Sequence, residues 1–429
     1  MHRSVWAVIV GTFTLRLSTG LTGTLLVYYL ADLPQNGGEV VSPLVVGIFG
    51  AVFFAAELIL SPAFGSLGDR AGYRQIMLLG PLFGVVAAIL TGLTTNLWLL
   101  GLTRGLEGAS SAASVPSILG YIALATAGDV ALRGKASSRF EAATILGLGA
   151  GMVIAGPLWV MVGRAAFFLN AGIYVVSWCI YRFGVADARA AHAVHLEHRP
   201  GSPRRYVAIL RASHVWLLAP TWIAVNAAIG LWTGQSIFQL VREPPPQFAN
   251  QWLMGGFSPV LISVGFIVAG VVFFAGLIWW GDRFKRFRRT TIIGLGIGGG
   301  AALAVAGLIV NHGQSLPVFL ILAAVLIAAT GLFVLAGATP AALGLLADMS
   351  EAYPHDRGAI MGLYSVFLAL GQIAGSLLGG IAADLRGIDG LLIATLLLLA
   401  VAVLPLSHLR AYEHRMEPSP DVPPVTAAD

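Results

Sequence analysis

Gly65-Ser66-Leu67-Gly68-Asp69-Arg70-Ala71-Gly72-Tyr73-Arg74 is a polar string between two long apolar runs, and about half a chain later Gly281-Asp282-Arg283-Phe284-Lys285-Arg286 stands in the same setting. Glycines allow a tight turn between helices, Asp69 suits a helix N-terminus and Arg70 suits a carboxylate, so the first string reads as a gate latch. The second lacks the later glycine and reads as a degraded copy. A polar turn repeated at half-chain spacing predicts two related halves.

Working outward, the 429 residues are 57% hydrophobic and 10% charged, with mean hydropathy +0.84. A soluble globule carries about 25% charged residues. Apolar runs of about 20 residues, the length that crosses a bilayer as a helix, recur throughout. A β-barrel would alternate apolar and polar residues, whereas the run from Leu391 to Leu404 is apolar on every face. The runs predict an all-α membrane protein with twelve spans, at 5–30, 43–64, 76–95, 97–124, 142–163, 165–182, 215–240, 257–280, 291–311, 316–345, 358–383 and 389–408. The 53 glycines then read as helix-packing positions. The predicted organisation is a six-helix bundle over 1–182, a linker over 183–213, a second six-helix bundle over 214–410 and a disordered tail over 411–429.

Of the 25 lysines and arginines, twenty fall in one alternate set of loops and ends, three (Arg164, Arg242, Arg386) in the other, and two (Arg16, Arg104) inside spans. Cytoplasmic loops are the basic ones, so both termini and the linker are expected inside, in a bacterial inner membrane. This distribution explains the net charge of +5 without a nucleic-acid partner. The single Cys179 excludes an internal disulfide and a multi-cysteine metal site. The first apolar segment is long enough to remain as a span, so no cleaved signal is expected. His192, His195 and His198 recur every third residue in the linker, yet no carboxylate or cysteine set completes a metal site; a solvated basic linker accounts for them.

The string at 65–74 resembles the signature loop of the major facilitator superfamily, and the resemblance runs over essentially the whole chain. It implies two pseudo-symmetric six-helix bundles that rock around a central cavity, with Gly65, Gly68, Asp69, Arg70, Gly72, Arg74, Asp282 and Arg283 as the gate. Arg104-Gly105-Leu106-Glu107-Gly108-Ala109 is similar to the family's arginine motif, associated with proton coupling, with Glu107 where glutamine is common. Gly147, Gly149, Gly151 and Gly156-Pro157 resemble the glycine-proline motif of the antiporter branches, although Met152 stands where that pattern has glycine and no glycine pair follows Pro157. Arg164-Ala165-Ala166-Phe167-Phe168-Leu169-Asn170 resembles the start of span six in drug antiporters.

A charge in a span costs at least about 2.5–3.5 kcal/mol unless paired or hydrated. Four lie well within spans: Arg16, Glu57, Arg104 and Glu107. Two cations and two anions invite mutual pairing, either as a static cluster or as a proton-coupling set in which Glu107, then Glu57, carries the proton and Arg104 and Arg16 set when it ionises. Thr12, Arg16, Thr19 and Gly23 share a face of span one. The resemblance implies that spans one, four, seven and ten line the cavity, where the second half offers Trp222, Asn226, Trp232, Gln235, Phe238, Gln239 and Gln372 and no charge. Such a wall suits an amphipathic or lipophilic substrate. The expectation is a monomeric secondary transporter exporting such compounds against a proton, with membrane lipid around it; a lipid or lysolipid transporter of the same fold is the alternative. An integral-membrane enzyme would need a catalytic set that the scattered histidines do not make. Gly294, Gly296, Gly298 and Gly299 belong to no βαβ unit, so no nucleotide or other cofactor is expected.

Overall fold

The computed structural model describes residues 3–126, 129–186, 214–284, 286–350 and 357–416. Among these the chain forms α-helices with short 3₁₀ turns and no strand. The first half is α1 (Arg3–Ala31), α2 (Pro43–Ala71), α3 (Tyr73–Leu93), α4 (Leu97–Ala125), α5 (Val130–Val162) and α6 (Ala165–Gly184). The second is α7 (Leu218–Gly230), α8 (Gln235–Val241), α9 (Pro259–Gly281), α10 (Arg289–Asn311), α11 (Val318–Leu335), α12 (Ala338–Ser350) and α13 (Arg357–Met416).

Two spans expected as single rods are broken. Span seven turns over Leu231–Gly234, where Gly234 takes φ 76° between α7 and α8, and span ten breaks at Ala336 and Gly337 between α11 and α12. Eleven stretches are long and apolar enough to cross a membrane. The last, Gly362–Glu413, has 52 residues and leaves helical geometry at Arg386 and Gly387, which divides it into two crossings and restores twelve. The first residues of the tail expected over 411–429 are helical, since α13 continues to Met416. Span five begins at Val130, not 142, because Asp129 caps the helix by accepting from Leu132 N at 2.8 Å and the basic turns after it stay exposed. The linker from 187 to 213, with His192, His195 and His198, and the tail from 417 lie outside the described residues.

Local sequence explains the helix starts. Ser42-Pro43 opens α2 and Ser258-Pro259 opens α9, each serine accepting from the amide three residues on and each proline filling the first turn, where no amide is needed. The same start in the same place of each half is a second repeat beside the polar turns. Gly72, at φ 100° and ψ 132°, ends α2 and starts α3 at once.

The two halves meet along α2 against α13 and α5 against α9. Twelve crossings bring Arg3 and Met416 to the same end of the bundle. The seam is tied at the opposite end: Tyr28 Oη donates to the Pro259 carbonyl at 3.4 Å, and Gln235 Nε2 to the Pro43 carbonyl at 2.6 Å. Around these lies an apolar cluster that includes Leu26, Tyr29, Trp159 and Phe167 of the first half with Ile237, Phe238 and Ile262 of the second.

Candidate functional site: a cavity on the seam

A cavity of about 480 Å³ opens between the halves. Thr19, Phe53, Arg104 and Met152 line it from the first half, Trp232 and Thr233 from the second. Its wall is otherwise mostly aliphatic, aromatic or glycine, and Arg104 is its one charged residue among the described residues. Arg104 is held by two neighbours: its guanidinium lies 4.8 Å from the centre of the Phe53 ring, and Nη1 pairs with Glu107 Oε2 three residues on. A cation over an aromatic face keeps part of its electrostatic stabilisation when water withdraws.

Glu107 does not face the cavity. It is 1% exposed and sits on the side of α4 that meets α3, where Thr91 donates to Thr103 at 2.9 Å and Ser110 to the Gly80 carbonyl at 2.6 Å. Its second oxygen, Oε1, is buried without a hydrogen-bond partner. The other two charges form a separate chain: Arg16 Nη1 donates to Ser111 Oγ at 3.1 Å, and Ser111 donates to Glu57 Oε1 at 2.5 Å. The expected mutual pairing thus resolves into one direct pair and one bridged pair, both anchored on α4. Ser111 and Phe53 were not singled out from sequence, and Met152 only as a departure from the glycine-proline pattern; Ser111 stands four residues after Glu107, a spacing that shares a helix face.

Of the nine residues expected in the cavity, Thr19 and Trp232 line it. Thr12 is buried and donates to the Val8 carbonyl. Trp222 packs on Tyr364 with ring centres 5.5 Å apart and planes tilted by 31° in the core of the second half, and Asn226 beside it donates to the Trp222 carbonyl. Gln235 and Gln239 are buried in the seam, bonded to each other at 3.1 Å while Gln235 holds Pro43; Phe238 is buried next to them under Arg242. Gln372 stands behind the wall, accepting from Thr233 at 3.1 Å.

The glycine-proline string is a packing surface. A Cβ on Gly147 would meet Arg16 Cβ at 2.9 Å, and one on Gly151 would meet Leu21 N at 2.6 Å, so these residues let α5 lie on α1. Gly156 instead faces the Pro259 backbone of α9, across the seam, one position before Pro157. In the latch, Gly65 packs near Pro116 and Gly68 near Tyr73, Asp69 accepts from Tyr73 at 2.5 Å, and Arg74 donates to the Arg182 carbonyl; these contacts stay inside the first half. Arg70 ends α2 at the same turn. In the copy, Asp282 follows α9 and Arg283 lies 3.5 Å over Trp279. Among the described residues no cluster of three metal-ligating side chains occurs.

Two helical halves closing on an apolar cavity, with Arg104 the one charge in its wall among the described residues, have the architecture of a membrane carrier. The Major Facilitator Superfamily profile matches residues 8–326 and 248–427, and the chain belongs to that family. Among relatives, Multidrug resistance protein 2 of Bacillus subtilis is 27% identical over 350 residues, 80% of each chain. Multidrug resistance protein MdtG of Escherichia fergusonii is 26% identical over 186 residues, 43% of this chain and 42% of that one. Among solved structures, the nucleoside transporter NupG superposes with TM-score 0.70 at 12% identity, covering 97% of this chain and 100% of that one. A bacterial homologue of the human lysosomal transporter Spinster, in an inward-facing and unoccupied conformation, gives 0.68 at 13% identity over 97% and 98%.

Proposed function

We propose that this protein is a secondary transporter of the bacterial inner membrane that exports lipophilic or amphipathic small molecules by alternating access, driven by proton exchange at Glu107. The observation that carries the reading is the cavity: drug-sized, apolar, on the seam of the two halves, with the Arg104–Glu107 pair at its edge. A conformational change that alters either the pairing or the burial of Glu107 loads or releases a proton. The relatives named as multidrug resistance proteins support the substrate class. With both termini and the 183–213 linker in the cytoplasm, as the basic loops argue, the tied end of the seam faces outward and the structure reads as inward-facing. The protein then works as a monomer, each half a rigid six-helix body, with Asp69 and Arg70 closing the cytoplasmic ends when the cavity turns outward.

The test is transport of a fluorescent lipophilic dye by purified protein in liposomes with and without a pH gradient. Wild-type protein accumulates the dye only with the gradient, and Glu107→Gln remains folded and binds it but loses accumulation. Gradient-driven accumulation retained by Glu107→Gln removes Glu107 from the mechanism. The same liposomes loaded with a labelled lysolipid test lipid transport, which the apolar wall also suits; lysolipid movement without dye movement would move the substrate class from drugs to lipids.

A further inference from the structure

Glu107 has two oxygens in different surroundings. Oε2 is taken by Arg104, on the flank that reaches the cavity, while Oε1 is buried and without a partner. The Tyr174 hydroxyl of α6 is a complementary orphan: Tyr174 is fully buried and its Oη has no hydrogen-bond partner. Packing sets the two side chains on one stretch of α3, near enough to interact electrostatically and without a direct hydrogen bond between Oη and Oε1. Ser110 bonds Gly80 and Thr103 bonds Thr91, which sets Glu107 against the stretch of α3 between them, and Gly84 in that stretch carries the Tyr174 ring, where a Cβ would meet its Cζ at 2.6 Å. On the other side Asn170 bonds Thr22 and the Ser18 carbonyl, and Ser177 bonds the Gly11 carbonyl, so Tyr174, between them on α6, lies against α1. Its hydroxyl is beside those of Thr19 and Thr22, and Thr19 lines the cavity.

We propose that Thr19 and Tyr174 form the route by which a proton passes from the cavity to Oε1 of Glu107. The proposal rests on the reading of Glu107 as the proton carrier. A proton that came past Arg104 would have to approach a like charge and would meet an oxygen already bonded; the hydroxyl route carries no charge and ends on the free oxygen. The other charged groups nearby, Arg16 and Glu57, engage Ser111 one turn further along α4, and α3 presents glycine and threonine here. In the transfer the Thr19 hydroxyl, which at rest donates to the Leu15 carbonyl at 3.0 Å, turns to Tyr174, accepts a proton from hydronium in the cavity and passes its own to Tyr174, which swings into reach of Oε1 and passes its own to it. Each hydroxyl ends as it began, no electrons move, and the net change is one proton from hydronium, which leaves water, to the carboxylate.

The experiment needs no substrate. In purified protein a downward pH jump is followed by infrared spectroscopy at the protonated-carboxyl band that Glu107→Gln abolishes. Tyr174→Phe keeps the ring on Gly84 and loses only the hydroxyl, so its thermal unfolding stays at the wild-type temperature while the band rises at least tenfold more slowly. Thr19→Val, which keeps the branched shape, slows it as well and serves alone if Tyr174→Phe does not fold. A band that rises at the wild-type rate in these variants overturns the route and leaves Glu107 as carrier. If Glu107→Gln removes no band at all, the reading of Glu107 as carrier fails and takes the route with it.

Discussion

Arg104 opens onto the cavity with 11% of its side chain exposed, while Glu107 behind it is 1% exposed, so the two halves of one ion pair have unequal solvation. Removing the cation strands an ionised carboxylate inside the first bundle; losing one partner of a buried pair costs about 3–5 kcal/mol. Removing the carboxylate leaves a guanidinium that cavity water and Phe53 still solvate. Arg104→Gln is therefore expected to lower the thermal unfolding temperature clearly, and Glu107→Gln by only a fraction as much. Equal losses measured on the two purified variants would contradict this asymmetry. The pairing itself was legible, since positions three apart on a helix meet wherever the helix is placed. The bridge through Ser111 was not, because it joins α1, α2 and α4, whose relative rotation no local pattern records.

Among the elements, α5 uses glycines for two different purposes. Gly147 packs within its own bundle against α1, so Gly147→Leu should destabilise the fold by about 1–3 kcal/mol, as overpacking does. Gly156 packs across the seam on Pro259, so Gly156→Leu should leave each bundle intact and force the tied end apart. Spin labels at the exposed Gln35 and Gln247 report that end, and a longer distance with an unchanged unfolding temperature is the expected result. An unchanged distance would make Gly156 an ordinary packing residue. The latch between α2 and α3 behaves differently again. Asp69 is held by Tyr73 of its own half in this state, and its work in the gate is expected in the opposite state. Asp69 stands in the last turn of α2 here, not at the helix N-terminus expected for it, so any such placement belongs to the opposite state, where a carboxylate at a helix N-terminus contributes about 0.3–1 kcal/mol when exposed and up to about 2 when partly buried, enough to shift a balanced equilibrium several-fold. Asp69→Asn should slow turnover by that factor and enrich the inward-facing state at unchanged unfolding temperature; normal turnover in the dye assay would reduce the motif to an orientation signal.

For the whole molecule the firmest expectation is orientation. In a Cys179→Ser background, cysteines at Ser202 and Ser419 should be shielded from an impermeant thiol reagent in intact cells, while one at Gln35 reacts. Labelling at Ser202 or Ser419 from outside would invert the protein and, with it, the assignment of the cavity as inward-facing. The number of crossings and the two-half repeat were present in the sequence, because a bilayer reads hydropathy locally, run by run. Which polar side chains meet the cavity was decided by the tertiary structure alone. Spans that are apolar on every face carry no period from which a buried side can be read, and the turn at Leu231–Gly234 resets the helical phase, so Gln235, Phe238 and Gln239 turn into the seam while Trp222 and Asn226 enter the core of their own half. Thr19, Arg104 and Trp232 reach the cavity for the same reason in reverse: the two bundles, docked at one end, leave a space between them whose wall those three side chains help to form.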